Sequence, residues 1–268
     1  MLTADSITVK GRHDQLVAPI SVQVQRGELQ LLACEPQISR TALALVLSGR
    51  MKPSSGTVAW NADPKLRTLR KRSALVDSPG ISDPESHLKV RDLIAEDLGL
   101  IPGPSWRKPG ARKWMAQHGF DDIANCWIDA IDPHRLFELQ LLLAAENPRL
   151  ELLVVDSPDR HDLDDGQWLE TLEDFASSHR NFAVLAIVSR PPRFWEEPAG
   201  QAEVAEHAEL NLPDPSTGFI QEELDLDLDP AAMNDDAADT HAIVVPADEL
   251  ADEPADEPAD ADQREAKE

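Results

Sequence analysis

Residues 27–58 constrain the fold of this chain more than any other segment, because an apolar strand there passes through a short loop into a helix. The pattern predicts the strand over 29–33 and the helix over 42–51, with Gly49 as a C-terminal cap and Pro53 beyond it. A strand, a tight loop and a helix in this order form the frame of a phosphate-binding loop. The frame therefore favours an α/β protein with its principal candidate site in the loop.

The loop itself, 34–41, lacks the glycines that such a site requires. A phosphate loop has the form G-x-x-x-x-G-K-S/T, in which glycine lets backbone N–H groups approach the phosphates closely. Here Cys34, Gln37 and Ser39 stand at the positions where glycine is needed. Pro36 also removes an N–H donor and fixes its own φ. The sequence thus predicts the scaffold of a nucleotide site with its phosphate cradle eroded.

Two positions of the loop keep side chains of the expected kind. Arg40 supplies positive charge where the consensus has lysine, and Thr41 supplies a hydroxyl suited to Mg²⁺. One interpretation is a residual phosphate loop formed by Ser39, Arg40 and Thr41. The other is a tightened strand-to-helix loop in which Arg40 is salt-bridged or solvated. The residues alone leave both interpretations open.

The remainder of residues 1–198 alternates apolar strands with amphipathic helices, which predicts an α/β sheet with the helices of 85–135 as an inserted lobe. We also expect a last short helix and strand around Trp195 and Phe219. The predicted strands are 6–9, 20–24, 57–60, 73–76, 152–155 and 182–188, and the predicted helices are 90–98, 111–118, 135–146 and 165–177.

Most of the negative charge lies at the C-terminal end. The 268 residues carry a net charge of −25, of which residues 199–268 contribute −20, from 22 acidic and two basic residues. Residues 1–198 hold 28 acids and 23 bases, a net of −5. The repeat Ala-Asp-Glu-Pro at 251–258 cannot bury enough apolar surface to order the chain. We therefore predict a folded domain over 1–221 and a disordered acidic tail over 222–268.

Several classes of protein are disfavoured by composition. Cys34 and Cys126 are too few for a disulfide framework and lack metal-ligand spacing. The chain has neither an apolar stretch of spanning length nor a signal-peptide pattern, so a reducing cytoplasm is the expected setting. The basic run 65–72 has no interleaved aromatics, which favours a solvated face or a membrane-proximal patch over a nucleic-acid site. The alternating Leu-Asp segment 224–229 is either a docking segment or part of a solvated tail.

Several segments fall in the order and spacing of one known family. Residues 43–61 read LALVLSGRMKPSSGTVAWN, and the later segments are Leu-Val-Asp-Ser (75–78), Ala-Ile-Asp-Pro-His-Arg (130–135), Leu-Val-Val-Asp-Ser-Pro (153–158), Asp-Leu-Asp (162–164) and Val-Ser-Arg (188–190). Over residues 2–198 the chain resembles the nucleotide-binding subunit of an ATP-binding cassette (ABC) transporter. The resemblance implies a P-loop NTPase-like core with an inserted helical lobe.

The resemblance also implies how the site has changed. Asp156 stands where the family holds Mg²⁺, so Thr41 and Asp156 are the predicted Mg²⁺ ligands; a helix cap or a local hydrogen-bond acceptor is the alternative role for Asp156. Ser157 replaces the glutamate that polarises the attacking water, and a hydroxyl is no general base near neutral pH. No catalytic residue is therefore predicted.

Three further motif positions are altered in the same way. Ser78 replaces the glutamine that senses the γ-phosphate, and Ser189 or Arg190 stands at the position of the switch histidine. Ile131, Asp132 and Pro133 replace the signature serine and glycines, and Asp132 with Pro133 favours a cap of the following helix.

Three functional hypotheses follow. The first is a degenerate ABC-type subunit, a pseudo-ATPase that acts as a structural or regulatory partner of an integral membrane protein at the inner face of the cell membrane. The second is a subunit that still binds ATP and Mg²⁺ and works in a homo- or heterodimer with another ABC ATPase. The third is an interaction module that works through its acidic tail. The resemblance implies docking to the membrane partner through the lobe that carries Trp106, Trp114 and Trp127, although these tryptophans equally suit a lobe core.

Overall fold

The computed structural model describes residues 1–104, 108–161, 163–196 and 199–202. The predicted acidic tail, Phe219, Trp106 and Asp162 lie outside these residues. The strands are β1 (Leu2–Lys10), β2 (Gln15–Val24), β3 (Leu29–Cys34), β4 (Ser55–Trp60), β5 (Ser73–Val76), β6 (Leu152–Asp156), β7 (Ala183–Val188) and β8 (Gly200–Ala202). The helices are α1 (Gln37–Leu47), α2 (Leu66–Arg72), α3 (Val90–Leu100), α4 (Ala111–His118), α5 (Pro133–Ala145) and α6 (Asp165–Ser178).

A five-stranded parallel sheet carries the core, in the order β5-β6-β7-β3-β8. Every residue of β6 and β7 is buried, as expected for parallel strands covered on both faces. Leu152 and Val154 pack in one apolar cluster, whereas the alternate residues Leu153 and Val155 pack in another. The period of two along each strand therefore divides the core into two layers.

One layer joins the parallel sheet to a smaller antiparallel sheet of order β2-β1-β4. Helix α1 lies in this layer, with Leu43, Ala44, Val46 and Leu47 buried in the same cluster as the apolar residues of β1 and β2. The other layer contains α5 and α6, including the buried Trp168. The predicted α/β architecture is confirmed by these layers.

The inserted lobe has its own core. Helices α3 and α4 contribute Val90, Ile94 and Trp114 to a third apolar cluster, and α5 closes that cluster with Leu139 and Leu143. Trp114 is fully buried, so it is a core residue of the lobe. Trp127 is 50% exposed and is available at the surface.

The start of α1 corrects the sequence prediction. We expected a helix over 42–51, but α1 begins at Gln37, because Pro36 supplies the extended N-cap and its carbonyl accepts the first helical hydrogen bonds. Gly49, with φ of 71°, follows the C-cap Ser48 and lets the chain reverse.

Two other elements differ from expectation. The basic run forms helix α2, which sequence periodicity over seven residues did not reveal. Within the described residues no helix forms around Trp195. Among the described helices, none combines the length and apolarity needed to cross a membrane.

Candidate functional site

The candidate site lies where three parallel strands end. Cys34 is the last residue of β3, Asp156 is the last residue of β6, and Ser78 comes two residues after the end of β5. Helix α1 starts at this same edge of the sheet and presents Arg40 and Thr41 from its first turn. Carboxyl ends of parallel strands are the usual location of ligand sites in open α/β sheets.

Only Glu35 and Pro36 separate β3 from α1. The Pro36 carbonyl accepts hydrogen bonds from the backbone N–H of Ser39 at 2.9 Å and of Arg40 at 3.2 Å. The Ser39 hydroxyl turns away from the loop and donates to the Leu16 carbonyl at 2.7 Å. Two of the backbone donors at the start of the helix, those of Ser39 and Arg40, are thus engaged by the Pro36 carbonyl.

Arg40 is only 8% exposed as a residue, and its guanidinium lies inside the loop. Its Nε donates to Ser157 Oγ at 2.9 Å and lies 3.1 Å from Gln37 Oε1. Its Nη1 donates to the Cys34 carbonyl at 3.2 Å and pairs with Glu35 Oε2 at 2.9 Å. The planar fork of arginine explains how one side chain reaches so many acceptors at once.

Asp156 receives hydrogen bonds on both carboxylate oxygens and is fully buried. Its Oδ2 accepts from Thr41 Oγ1 at 2.8 Å and from Ser78 Oγ at 2.7 Å. Its Oδ1 lies 2.8 Å from Ser157 Oγ and 3.4 Å from Gln37 Nε2. We call this connected group the Arg40–Asp156 network; it consists of Gln37, Arg40, Thr41, Ser78, Asp156 and Ser157.

The network links a buried cation to a buried carboxylate through neutral side chains. Ser157 accepts from Arg40 and lies within reach of Asp156, so each charge is solvated by the protein. The neighbouring Cys34 thiol is buried, and that burial raises its pKa to about 11, with Arg40 acting in the opposite direction. Cys34 is therefore a neutral thiol at physiological pH, and not a nucleophile.

A second polar cluster adjoins the network and was not foreseen from the sequence. Asp77, 1% exposed, accepts from Arg160 Nη2 at 2.7 Å and pairs with His161. Asp159 accepts from the backbone N–H of Ser189 at 2.8 Å and from its hydroxyl. His161 therefore contacts the residue that directly follows β5. The available signal was a polar residue directly after a buried strand.

Two residues at this same edge of the sheet have unusual backbone conformations. Asp77 and Ser157 directly follow β5 and β6, and both adopt left-handed conformations with φ of 57° and 59°. Such conformations are uncommon for residues other than glycine and cost about 1 kcal/mol or more. The surrounding hydrogen bonds hold both residues there.

As arranged, these residues do not fit a magnesium-bound triphosphate. The N–H groups of Ser39 and Arg40 are engaged, the guanidinium fills the loop, and both oxygens of Asp156 accept protein donors. Within the described ranges, no cluster of three or more histidine, cysteine or carboxylate side chains could hold a metal ion.

The signature segment has a structural role. The Asp132 carboxylate accepts from the backbone N–H of Arg135 at 3.1 Å, and Pro133 is the first residue of α5. This confirms the predicted helix cap.

Solved structures with similar folds identify the architecture, although neither a protein-family model nor a curated protein sequence matches the chain. CbiO1 from Clostridium perfringens, part of the ABC transporter complex cbiONQ, is 14% identical, with a TM-score of 0.54 over 70% of this chain and 78% of its own. A putative ABC transporter ATP-binding protein from Pyrococcus furiosus is 14% identical, with a TM-score of 0.55 over 72% and 93%. The chain has the fold of an ABC ATPase domain.

A third similar structure is the dimeric MJ0796, a bacterial ABC transporter cassette, at 12% identity and a TM-score of 0.54 over 71% of this chain and 88% of that one. All three come from ABC transporters, the second only putatively. The ABC ATPase fold therefore persists at 12–14% identity, with the Arg40–Asp156 network at the edge where its phosphate loop is expected.

Proposed function

We propose that this chain is a degenerate ABC-type subunit that neither binds nor hydrolyses ATP and serves as a structural or regulatory partner of a membrane protein. The observation that carries the proposal is the Arg40–Asp156 network, in which protein side chains satisfy the groups that would otherwise contact phosphate and Mg²⁺. Ser157 at the position of the water-polarising glutamate supports the loss of hydrolysis.

Opening the site would require an unfavourable exchange. Binding a triphosphate would remove Arg40 from Ser157 and Cys34, and would separate Thr41 from Asp156. Each buried group left unpaired costs about 1–3 kcal/mol. A ligand has to recover this free energy before any net affinity appears.

A surface groove supports docking of a membrane partner. A cavity of about 450 Å³ lies between the residues after β5, helix α3 and helix α5. Ile81 and Leu100 line it and are 48% and 74% exposed, and Gln140 Oε1 is buried there without a hydrogen-bond partner among the described residues. The carboxylate residues Asp77, Asp83, Glu85, Glu96 and Asp97 also line it. A groove that combines exposed apolar side chains, acidic side chains and an unpaired buried acceptor suits a polypeptide from another subunit. Such a partner would hold the protein at the inner face of the membrane.

Nucleotide titration tests the loss of binding. We expect a fluorescent ATP analogue with Mg²⁺ to show no saturable binding to the full chain at millimolar concentration, and no ATP hydrolysis above the level of a buffer blank. Micromolar binding would contradict the proposal, provided that Thr41→Val abolishes it. Binding that survives Thr41→Val would show that the nucleotide binds elsewhere.

The contact between Thr41 and Asp156 favours one alternative function. The two side chains lie 2.8 Å apart and are the pair that the resemblance assigns to Mg²⁺. A subunit that binds ATP only within an asymmetric dimer would use this pair after the network opens. Co-purification from native membranes separates the cases: an accompanying intact ABC ATPase favours the dimer, whereas a membrane protein alone favours the degenerate subunit.

A further inference from the structure

A second cavity, at the opposite end of β5, is surrounded by positive charge. It has a volume of about 370 Å³ and lies between the end of α1, helix α2 and the segment after α5. Four cationic side chains line it: Arg50, Arg70, Lys71 and Arg149. We call it the basic cavity. Its volume falls within the range of small-molecule sites.

These cations lack acidic partners. No aspartate or glutamate is among the described residues that line the cavity, and none of its four cations forms an ion pair with a described carboxylate. This is unexpected in a region, residues 1–198, that carries more acids than bases. By contrast, Arg72 lies on α2 beside Arg70 and Lys71 and pairs with Glu151 at 3.2 Å.

Arg50 is the most enclosed of the four. Its guanidinium donates to the Ser48 carbonyl and the Ser73 hydroxyl, both at 3.3 Å, which are long contacts for a charged donor. Burial, together with the charge of Arg70, lowers the pKa of Arg50. The protein thus holds a partly desolvated cation beside another cation, and an anion in the cavity would relieve both penalties.

The other walls complete a binding site. Leu75, Leu150 and Pro102 supply apolar surface, and Asn147 supplies an amide. Two N–H groups of one guanidinium can donate to two oxygens of a phosphate group, and a lysine ammonium adds a compact positive charge. A phosphate with a small organic group fits this combination better than a bare chloride ion would.

We propose that the basic cavity binds a phosphate group carried by a small molecule or by a lipid headgroup. The two sources present the same anionic oxygens to Arg50, Arg70, Lys71 and Arg149. The site is independent of the proposed function, because it lies at the amino end of β5, whereas the Arg40–Asp156 network lies beyond its carboxyl end.

Two probes and two matched variants test the proposal. Inorganic pyrophosphate is titrated into the full chain by calorimetry, and flotation with vesicles containing phosphatidic acid measures lipid binding. The double variant Arg70→Gln with Arg149→Gln removes two exposed cavity cations. The control, Arg67→Gln with Arg112→Gln, removes the same charge from residues that do not line the cavity.

We expect at least one probe to bind the wild-type chain, with affinity at least tenfold weaker in the cavity variant and within about twofold of wild type in the control. Binding of pyrophosphate identifies a soluble ligand, and binding of vesicles alone identifies a lipid. The proposal is overturned if neither probe binds, or if both variants weaken binding equally. Thr41→Val should leave the binding of both probes unchanged, because Thr41 does not line the basic cavity. A negative result for the basic cavity is therefore distinct from a negative result for the proposed function.

Discussion

At the scale of single residues, exchanging lysine for arginine at position 40 changes what the loop can do. A lysine ammonium is a compact charge with three donors, whereas a guanidinium is a planar fork with five. In this loop the fork contacts Ser157, Gln37, Glu35 and the Cys34 carbonyl together. Under the proposed function, Arg40 acts as an internal ligand in place of an external anion.

This role predicts a large effect on stability. Arg40→Ala leaves several buried acceptors without a donor and should lower the free energy of unfolding by about 3 kcal/mol. Arg67→Ala, an exposed arginine on α2, should change it by no more than about 0.5 kcal/mol. Urea denaturation followed by tryptophan fluorescence measures both variants. Equal effects of the two substitutions would rule out the internal-ligand role.

At the scale of elements, helix α3 carries a carboxylate in an unfavourable position. Burial raises the pKa of Asp97 to about 6, and the neighbouring charge of Glu96 acts in the same direction. A raised carboxyl pKa means that the folded state binds the proton more tightly than the unfolded state does. The penalty to the folded state is therefore absent below about pH 4, grows as pH rises from about 4 to about 6, and is complete above about pH 6.

Replacing the Asp97 carboxylate tests whether its charge destabilises the folded state. Asp97→Asn should raise the free energy of unfolding by about 1–2 kcal/mol at pH 8, allowing for partial exposure, and by much less at pH 4. Asp92→Asn, an exposed residue of the same helix, serves as the control and should change it by no more than about 0.5 kcal/mol at either pH. Urea denaturation at both pH values measures the difference. A stabilisation of equal size at pH 4 would contradict the assignment.

The antiparallel sheet depends on one glycine. Gly56, in β4, has φ of 78°, and a Cβ there would lie 2.4 Å from the carbonyl oxygens of Asp5 and Ser6 on β1. The backbone of β1 cannot rotate out of the way of this Cβ as a flexible side chain could, so β4 would have to move away from β1.

Gly56→Ala should therefore lower the free energy of unfolding by about 2–4 kcal/mol. Gly99→Ala in α3 is the matched control, because nothing lies within 4 Å of a Cβ there, and helix propensity should make it neutral or stabilising by up to about 1 kcal/mol. Thermal and urea denaturation measure both variants. A Gly56→Ala protein as stable as wild type would contradict the close approach of the two strands.

At the scale of the whole molecule, the two ends of the parallel sheet have opposite characters. The carboxyl edge is closed by hydrogen bonds among its own side chains, whereas the amino end of β5 opens into a cavity whose four cations form no ion pair with a described carboxylate. The groove beside α3, which acidic and apolar residues line together, lies between them and shares Ala74 and Leu75 with the basic cavity. Both proposed interaction surfaces are thus lined by residues outside the Arg40–Asp156 network, where the resemblance places the nucleotide.

The sequence predicted most strands and most helices, because burial requires only apolar periodicity, but it did not predict β8 at Gly200–Ala202. Helix α4 and strand β5 match the predicted bounds, and β6 and β7 differ by one residue at an end. The start of α1 was not predictable from periodicity, because Gln37 and Ser39 are polar and the decisive contribution is the Pro36 carbonyl. Local capping chemistry outweighed the apolar pattern there.

The candidate site was predictable only in its residues and not in its connections. Arg40, Thr41 and Asp156 are identified by their positions in the motif frames, but the contacts of Ser157 and Ser78 with them join residues that are distant along the chain. The link between Asp77 and His161 is of the same kind. Such pairings depend on strand order, which the sequence alone does not define.

A crystal structure of the full chain grown with millimolar Mg²⁺ and a non-hydrolysable ATP analogue tests the central claim most directly. The account predicts that the guanidinium of Arg40 stays within hydrogen-bond distance of Ser157 and that Asp156 keeps Thr41 and Ser78 as its donors. Triphosphate density inside the loop, with Arg40 displaced and Mg²⁺ bound between Thr41 and Asp156, would contradict it.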